Sequence, residues 1–191
     1  MDNYGEELVY WYLRLNGFFS IPNFVIHDKV VKRRGETDFL AIKPANAKEI
    51  VDGVKLEFDE KLLESVEMAE EDYSSKNLFV MAEVSLSSNV SEKDVKRKFS
   101  EDIIKYNLQR FGIDGEKGIE GIFNLPYLKK ESYAVAKLFF LDASLTSEVA
   151  IVIPFSDAET FVEKRMGAPF KKSGWDLFPS NIIQKKVKRR I

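Results

Sequence analysis

The chain contains no cysteine and only one histidine, His27. The absence of cysteine excludes disulfides and thiolate metal sites, and it is typical of proteins from a reducing compartment. A single histidine excludes the multi-histidine zinc sites and leaves any serine–histidine–aspartate triad dependent on His27 alone. Any metal bound by this protein is therefore expected to be a hard cation held by oxygen ligands.

Long apolar runs are also missing from the sequence. No run approaches the roughly 20 residues that a membrane-spanning helix requires, and the start Met1-Asp2-Asn3 lacks the basic residues of a signal peptide. We therefore expect a soluble, cytoplasmic protein without a membrane partner. The formal net charge of −2 does not by itself indicate a nucleic-acid-binding protein.

The composition predicts one main domain. Of 191 residues, 45% are hydrophobic and 13% aromatic, which is enough for one sizeable core. We expect a single domain at 1–170 with an insertion at 43–77, followed by an irregular basic segment at 171–191. The acidic part of the insertion, Glu57–Asp72, has the spacing of an amphipathic helix that either packs over the sheet or forms a partner surface, and packing is the favoured interpretation. The basic end is typical of a disordered tail, and also of a phosphate-binding arm.

The pattern of apolar residues predicts an α/β fold in which helices flank a mixed central sheet. A largely buried helix is expected at Tyr4–Leu15, ending near Gly17, and a second from Ser91 to Gly112. A short helix is expected from Asp157 through Arg165. Strands are expected near 21–31, 36–42, 78–86, 133–141 and 148–155.

Carboxylates occur inside two of these apolar strands. Asp38 begins the run to Ile42 after a turn at Gly35, and Glu83 lies within Leu78–Leu86. A single acid in a strand more often caps a turn or pairs with a nearby basic residue, because charged groups are seldom buried unless they are paired. Two such acids suggest a metal site. The alternation of side chains along a strand places Ser85 on the same face as Glu83.

A basic turn lies immediately before Gly35 and Asp38, and it contains Lys29, Lys32, Arg33 and Arg34. A run of charge is usually a solvated loop, but this one lies beside the suspected site. Lys96 and Arg97 lie on the helix predicted after Glu83.

Several short motifs follow one another in a defined order in the first half of the chain. A helix beginning at Gly5-Glu6 is followed by Asn16-Gly17-Phe18, a strand, Gly35-Glu36-Thr37-Asp38 and Ala82-Glu83-Val84-Ser85. This order resembles the PD-(D/E)XK nuclease superfamily, and within it the small nucleases similar to archaeal Holliday-junction resolvases. The resemblance covers about the first half of the chain when the insertion is set aside.

The resemblance implies a restriction-endonuclease-like fold and a metal-dependent endonuclease that hydrolyses phosphodiester bonds in DNA. Asp38 and Glu83 would hold one or two Mg²⁺ (or Mn²⁺) ions, and Glu6 would assist at the second position or orient a water. Oxygen ligands suit Mg²⁺, which keeps several waters and makes a bound water a usable nucleophile near neutral pH. Basic residues near the site would hold the flanking phosphates of the nucleic acid, and these are Lys32, Arg33, Arg34, Lys96 and Arg97. Related proteins often form homodimers, but no feature of this sequence fixes the oligomeric state.

The sequence departs from the family pattern at Ser85, where the family has a catalytic lysine two residues after the glutamate. A hydroxyl cannot replace an ammonium that orients the attacking water and offsets the charge developing on the phosphate. Lys98 or Lys105 of the following helix could supply that charge, the metal ions could suffice alone, or the domain could bind nucleic acid or protein without cutting. In a further alternative, the chain is an interaction module that docks through its acidic helix. The retained pair of carboxylates favours an active nuclease.

Overall fold

The computed structural model of the protein describes residues 4–27, 33–48, 50–51, 54–55, 57–68, 70–114 and 120–167. Lys32, the side chains of Arg33 and Arg34, and the basic segment 171–191 lie outside the described part, so the predictions about them stay predictions. The helices are α1 (Tyr4–Leu15), α2 (Glu60–Ser65), α3 (Glu70–Ser75), α4 (Glu92–Lys98), α5 (Glu101–Arg110) and α6 (Phe155–Gly167). The strands are β1 (Phe19–His27), β2 (Arg33–Lys43), β3 (Ile50–Val51), β4 (Val54–Lys55), β5 (Asn77–Ser85), β6 (Tyr127–Lys129), β7 (Tyr133–Leu141) and β8 (Ile151–Pro154).

The main sheet is mixed, which confirms the predicted α/β class. It has six strands in the order β1-β2-β5-β7-β6, and β8 also pairs with β7. β1, β2 and β5 pair antiparallel, β5 and β8 run parallel to β7, and β6 is antiparallel to it. β5 and β7 are therefore interior strands, and both are almost entirely buried.

The two faces of the sheet contribute to two separate apolar cores. One core contains residues of α1, the insertion and α6, and the other contains residues of α4 and α5. The predicted alternation along β5 is confirmed: Leu78, Val80 and Ala82 belong to the first core, whereas Phe79 and Met81 belong to the second. Because side chains two residues apart share a face, Glu83 lies on the α4–α5 side.

Helix α1 has the predicted bounds. Leu8, Val9, Tyr12 and Leu13 are buried at a spacing of three to four residues, so one face of the helix packs into the core. The helix stops before Gly17, whose φ of 81° is a left-handed conformation that glycine adopts without strain. In the described residues no helix is sufficiently long and apolar to span a membrane.

The single helix predicted from Ser91 to Gly112 is wrong in one respect, because the chain forms two helices there. Ser91 begins α4 with a capping box, and α4 ends at Lys98. Phe99 is only 2% exposed, and its ring lies 6.5 Å from that of Phe139. Ser100 then adopts an extended conformation and begins α5. The break therefore allows Phe99 to enter the core and leaves Lys98 as the last residue of α4.

The insertion also differs from its prediction. The expected single helix at Glu57–Asp72 is divided into α2 and α3, and Glu67 between them has a φ of 47°. The packing interpretation is confirmed, because Leu62, Val66 and Tyr73 are buried in the same core as α1. A short two-stranded hairpin, β3–β4, completes the insertion.

A buried polar network attaches the insertion to α1. The Tyr12 hydroxyl donates to Asp59 Oδ2 at 2.7 Å, and the Asp59 backbone N–H donates to Asn16 Oδ1 at 2.8 Å. Asp59 also caps α2 through the backbone N–H of Lys61. Because buried polar groups of this kind are costly to leave unpaired, the network fixes the start of α2 against α1.

The remaining boundaries agree with the sequence pattern to different degrees. β7 matches its prediction, whereas the strand predicted at 148–155 is shorter, Ile151–Pro154, and α6 starts directly after Pro154. β1 begins at Phe19 rather than Ile21, and residues 28–31 of the predicted strand lie outside the described part.

Candidate functional site

Asp38 lies where the β2–β5 ladder ends. The described pairing runs from Lys43–Leu78 to Phe39–Ala82. One residue further on, Asp38 Oδ2 accepts a hydrogen bond from the Val84 backbone N–H at 2.7 Å. The carboxylate of Asp38 thus takes the place of a β2 backbone carbonyl as acceptor for a β5 N–H, next to Glu83. The preceding residue, Thr37, accepts a hydrogen bond from Asn107 of α5 at 2.8 Å, which ties this part of β2 to the helical layer.

Glu83 is a fully buried carboxylate in contact with a lysine from α4. Its side chain is 0% exposed, and Lys98 Nζ lies 2.7 Å from Oε2. At this distance the ammonium of Lys98 is both the charged partner of the carboxylate and a hydrogen-bond donor to it. A carboxylate buried in an apolar strand is costly to ionise, and groups of this kind are often found at functional sites.

The charges of these three residues influence one another. Burial, followed by the negative charge of Asp38, raises the pKa of Glu83 to about 8, and Lys98 opposes that rise. Burial alone would lower the pKa of Lys98, but the charges of Glu83 and Asp38 outweigh it and the pKa is raised. When all three groups are ionised, two carboxylates are balanced by one ammonium. The site therefore favours additional positive charge.

Lys98 connects the buried carboxylate with an open cleft of about 220 Å³. The cleft is lined by Ser85, Asn89, Arg97, Lys98 and Phe139, among others. Arg97 projects to solvent with its side chain 76% exposed and pairs with Asp94 at 3.3 Å. Ser85, a lysine and an arginine therefore line the same opening.

The other predicted site residues within the described part, Glu6, Lys96 and Lys105, are not among the residues that line this cleft. Glu6 is half-buried in the first turn of α1, and Lys105 is half-buried on α5. Within the described ranges no three histidine, cysteine or acidic residues cluster closely enough to hold a metal, so Glu6 does not complete such a group with Asp38 and Glu83. Lys96 pairs with Glu92 and Glu148, each at 3.7 Å, and is not among the residues that line the cleft.

The donors fit a hard divalent cation that keeps most of its water. Asp38 and Glu83 supply carboxylate oxygens, and the ion pair of the Glu83 carboxylate with Lys98 uses only one of its oxygens, Oε2. Mg²⁺ is commonly held by one or two carboxylates together with waters and phosphate oxygens. Two protein carboxylates next to a cleft are consistent with that coordination.

A buried lysine that is not among the predicted site residues lies on the same face of the sheet as Glu83. Lys137 is 0% exposed, its Nζ donates to the Phe123 carbonyl at 2.9 Å, and it lies 5.7 Å from the centre of the Phe99 ring. Burial lowers its pKa to about 8. A lysine in the middle of the apolar run Tyr133–Leu141 is the signal that would have identified it.

Replacing Lys137 with methionine should change how stability depends on pH. In the folded protein the pKa of Lys137 is about 8, compared with 10.5 for an unburied lysine. The folded state therefore binds fewer protons than the unfolded state between these two pH values. Burying the protonated Lys137 lowers the free energy of unfolding in full below pH 8, and this loss decreases as the pH rises. We expect the difference in free energy of unfolding between Lys137→Met and the wild-type protein to decrease by up to about 3 kcal/mol between pH 7 and pH 10.5. Urea unfolding of both proteins measures this, and a pH-independent difference would contradict it.

No family model, curated protein or solved structure matches this chain. Conclusions about function therefore depend on the geometry and chemistry of the site itself.

Proposed function

We propose that the protein is a metal-dependent phosphodiesterase that cleaves nucleic acid, with DNA as the first substrate to test. Asp38 and Glu83 are the proposed metal ligands, and Lys98 provides the ammonium that the sequence lacks at Ser85. The observation that carries the proposal is the 2.7 Å contact between Lys98 Nζ and Glu83 Oε2, beside a cleft lined by Ser85. An acid pair and a lysine are thereby assembled from three separate elements of the chain.

Each residue has a distinct part in the proposed reaction. A Mg²⁺ or Mn²⁺ ion held by Asp38 and Glu83 would supply an activated water and neutralise charge on the phosphate. Asp38, fixed by the Val84 N–H, and Glu83, fixed in the core, provide rigid oxygen donors. Lys98 faces both the buried acid and the cleft, so its ammonium can offset the charge that develops on the phosphodiester. Arg97, which lines the cleft with an exposed side chain, would hold a neighbouring phosphate.

A cleavage assay tests the proposal directly. Purified protein is incubated with Mg²⁺ or Mn²⁺ and end-labelled single-stranded, duplex or branched DNA, or RNA. We expect metal-dependent products that disappear when the metal is chelated. The melting temperature should also rise with metal, because a ligand that binds only the folded state stabilises it. No product with any substrate, together with no shift in melting temperature, would overturn the proposal.

Replacing Lys98 with methionine should lower the cleavage rate by about 100-fold, a typical cost for removing one donor that stabilises charge in the transition state. Lys93→Met is the matched control, because Lys93 is an exposed lysine on the same helix. Ser85→Lys should give no gain in the wild-type protein, since Lys98 already contacts Glu83. In the Lys98→Met background, the same change should restore part of the lost rate.

The main alternative is a domain that binds nucleic acid or protein without cutting it. It is favoured by one observation, the pairing of Glu83 with Lys98, which a purely structural ion pair would also explain. In that case Lys98→Met would alter stability only, and no metal-dependent products would be seen with either protein. Full cleavage by Lys98→Met would instead exclude Lys98 from the reaction.

A further inference from the structure

We propose that Lys98 is the resident counter-ion of Glu83 and that a divalent metal must displace it in order to bind. Metal binding and release of the lysine into the cleft would then be a single coupled event. The inference rests on the proposed function, because it takes Asp38 and Glu83 as the metal ligands. It goes further in assigning Lys98 a second position that depends on the metal.

The distances make joint occupancy unfavourable. Lys98 Nζ lies 2.7 Å from Glu83 Oε2, on the buried side of the cleft. A Mg²⁺ ion would lie at about 2.1 Å from an oxygen of the same carboxylate, so an ammonium and a divalent cation would be held by one carboxylate group at short range. Repulsion between like charges at such a separation amounts to several kcal/mol even at the effective dielectric constant of a protein surface. One of the two cations is therefore expected to leave.

Lys98 is the partner that can move. The Glu83 side chain is 0% exposed and lies on a central strand, whereas the Lys98 side chain is 36% exposed. Lys98 is also the last residue of α4, and it already lines the cleft. A rotation of its long side chain would carry the ammonium from Glu83 to the cleft without moving the backbone.

The displacement has a consequence for substrate binding. In the observed arrangement, the positive charge of Lys98 is balanced by the carboxylate of Glu83. Once a metal takes over that carboxylate, the ammonium becomes available to an anion in the cleft, beside Arg97 and Ser85. The cleft would therefore attract a phosphodiester more strongly when the metal is bound.

Acylation of lysines in the intact protein measures this displacement without any cleavage assay. The protein is treated briefly with an amine-reactive acylating reagent, with and without Mn²⁺, and labelling at each lysine is quantified by mass spectrometry. An amine held against a buried carboxylate is shielded from the reagent. We expect Mn²⁺ to raise the labelling rate of Lys98 several-fold and to leave that of exposed Lys93 unchanged. Calorimetry on the same samples measures binding of Mn²⁺.

The possible outcomes separate this inference from the proposed function. If Mn²⁺ binds but labelling of Lys98 does not rise, displacement is excluded while the metal site remains. If calorimetry shows no binding of Mn²⁺, the proposed function fails and the inference fails with it. Asp38→Asn should lose both the binding of Mn²⁺ and the increase in labelling. An increase that persists in that variant would show that the metal acts elsewhere, which also overturns the inference.

Discussion

Asp38→Asn should lower metal-dependent cleavage by at least about 1,000-fold, equivalent to about 4 kcal/mol of transition-state stabilisation. The substitution removes the negative charge but keeps a side-chain oxygen in the same place. That oxygen can still accept the hydrogen bond that Val84 N–H donates to Asp38 at 2.7 Å. The end of the β2–β5 ladder should therefore survive, and the variant isolates the effect of the charge.

Two comparisons make the Asp38 experiment specific. Asp38→Ala removes both the charge and the acceptor, so it should abolish cleavage and also cost about 1–3 kcal/mol of stability, because Val84 N–H is left unpaired. Glu101→Gln removes an exposed acid from the first turn of α5 and should leave cleavage unchanged. If Asp38→Asn cleaves as well as the wild-type protein, the metal site lies elsewhere.

Much of the fold follows from local patterns of apolar residues. α1 has the predicted bounds because its apolar residues recur with a period near 3.6. β7 has the predicted bounds because it is a short, nearly continuous apolar run. The break at Phe99 was not predicted, since a continuous helical pattern does not reveal that one aromatic ring packs against Phe139 instead of extending the helix. In the insertion, the positive φ of Glu67 divides a segment whose sequence carries no glycine or proline to mark the turn.

The candidate site was only partly predictable, for a similar reason. Asp38 and Glu83 stand out because charged residues are rare in apolar strands. Their relative position depends on the antiparallel register of β2 and β5, which the insertion separates in the chain. The contact of Lys98 with Glu83 depends on where α4 ends, so sequence reasoning offered Lys98 and Lys105 as equals. The same signal, a charged residue within an apolar strand, marks Lys137, although the pattern of that strand was used only to predict its bounds.

The ion pair between Glu83 and Lys98 can be tested as a source of stability. Glu83→Gln should increase the free energy of unfolding by about 2–4 kcal/mol at pH 9 while abolishing metal-dependent cleavage. The reason is the cost of ionising Glu83, whose pKa is raised by burial from 4.5 to about 8. Glutamine resembles the protonated acid and avoids that cost. Lys98 loses a partner, but its side chain is 36% exposed and can be hydrated in the cleft.

The sign of the pH dependence follows from the same pKa. The folded protein binds more protons than the unfolded chain between pH 4.5 and about 8, so the contribution of Glu83 to stability declines through that window. The gain in free energy of unfolding from Glu83→Gln should therefore be small at pH 4.5 and reach its full value above pH 8. Urea unfolding at several pH values measures it, with Glu101→Gln as a control that shows no such trend.

The result also decides what the buried acid is for. If Glu83→Gln is less stable than the wild-type protein at pH 9, the ion pair with Lys98 is a net structural contribution, and its presence needs no functional explanation. If the variant is more stable but inactive, the chain retains a carboxylate that weakens its own fold. Binding of a cation then explains why Glu83 is present. A metal ion offsets the cost of ionising Glu83 in the core, a cost that Lys98 alone does not remove.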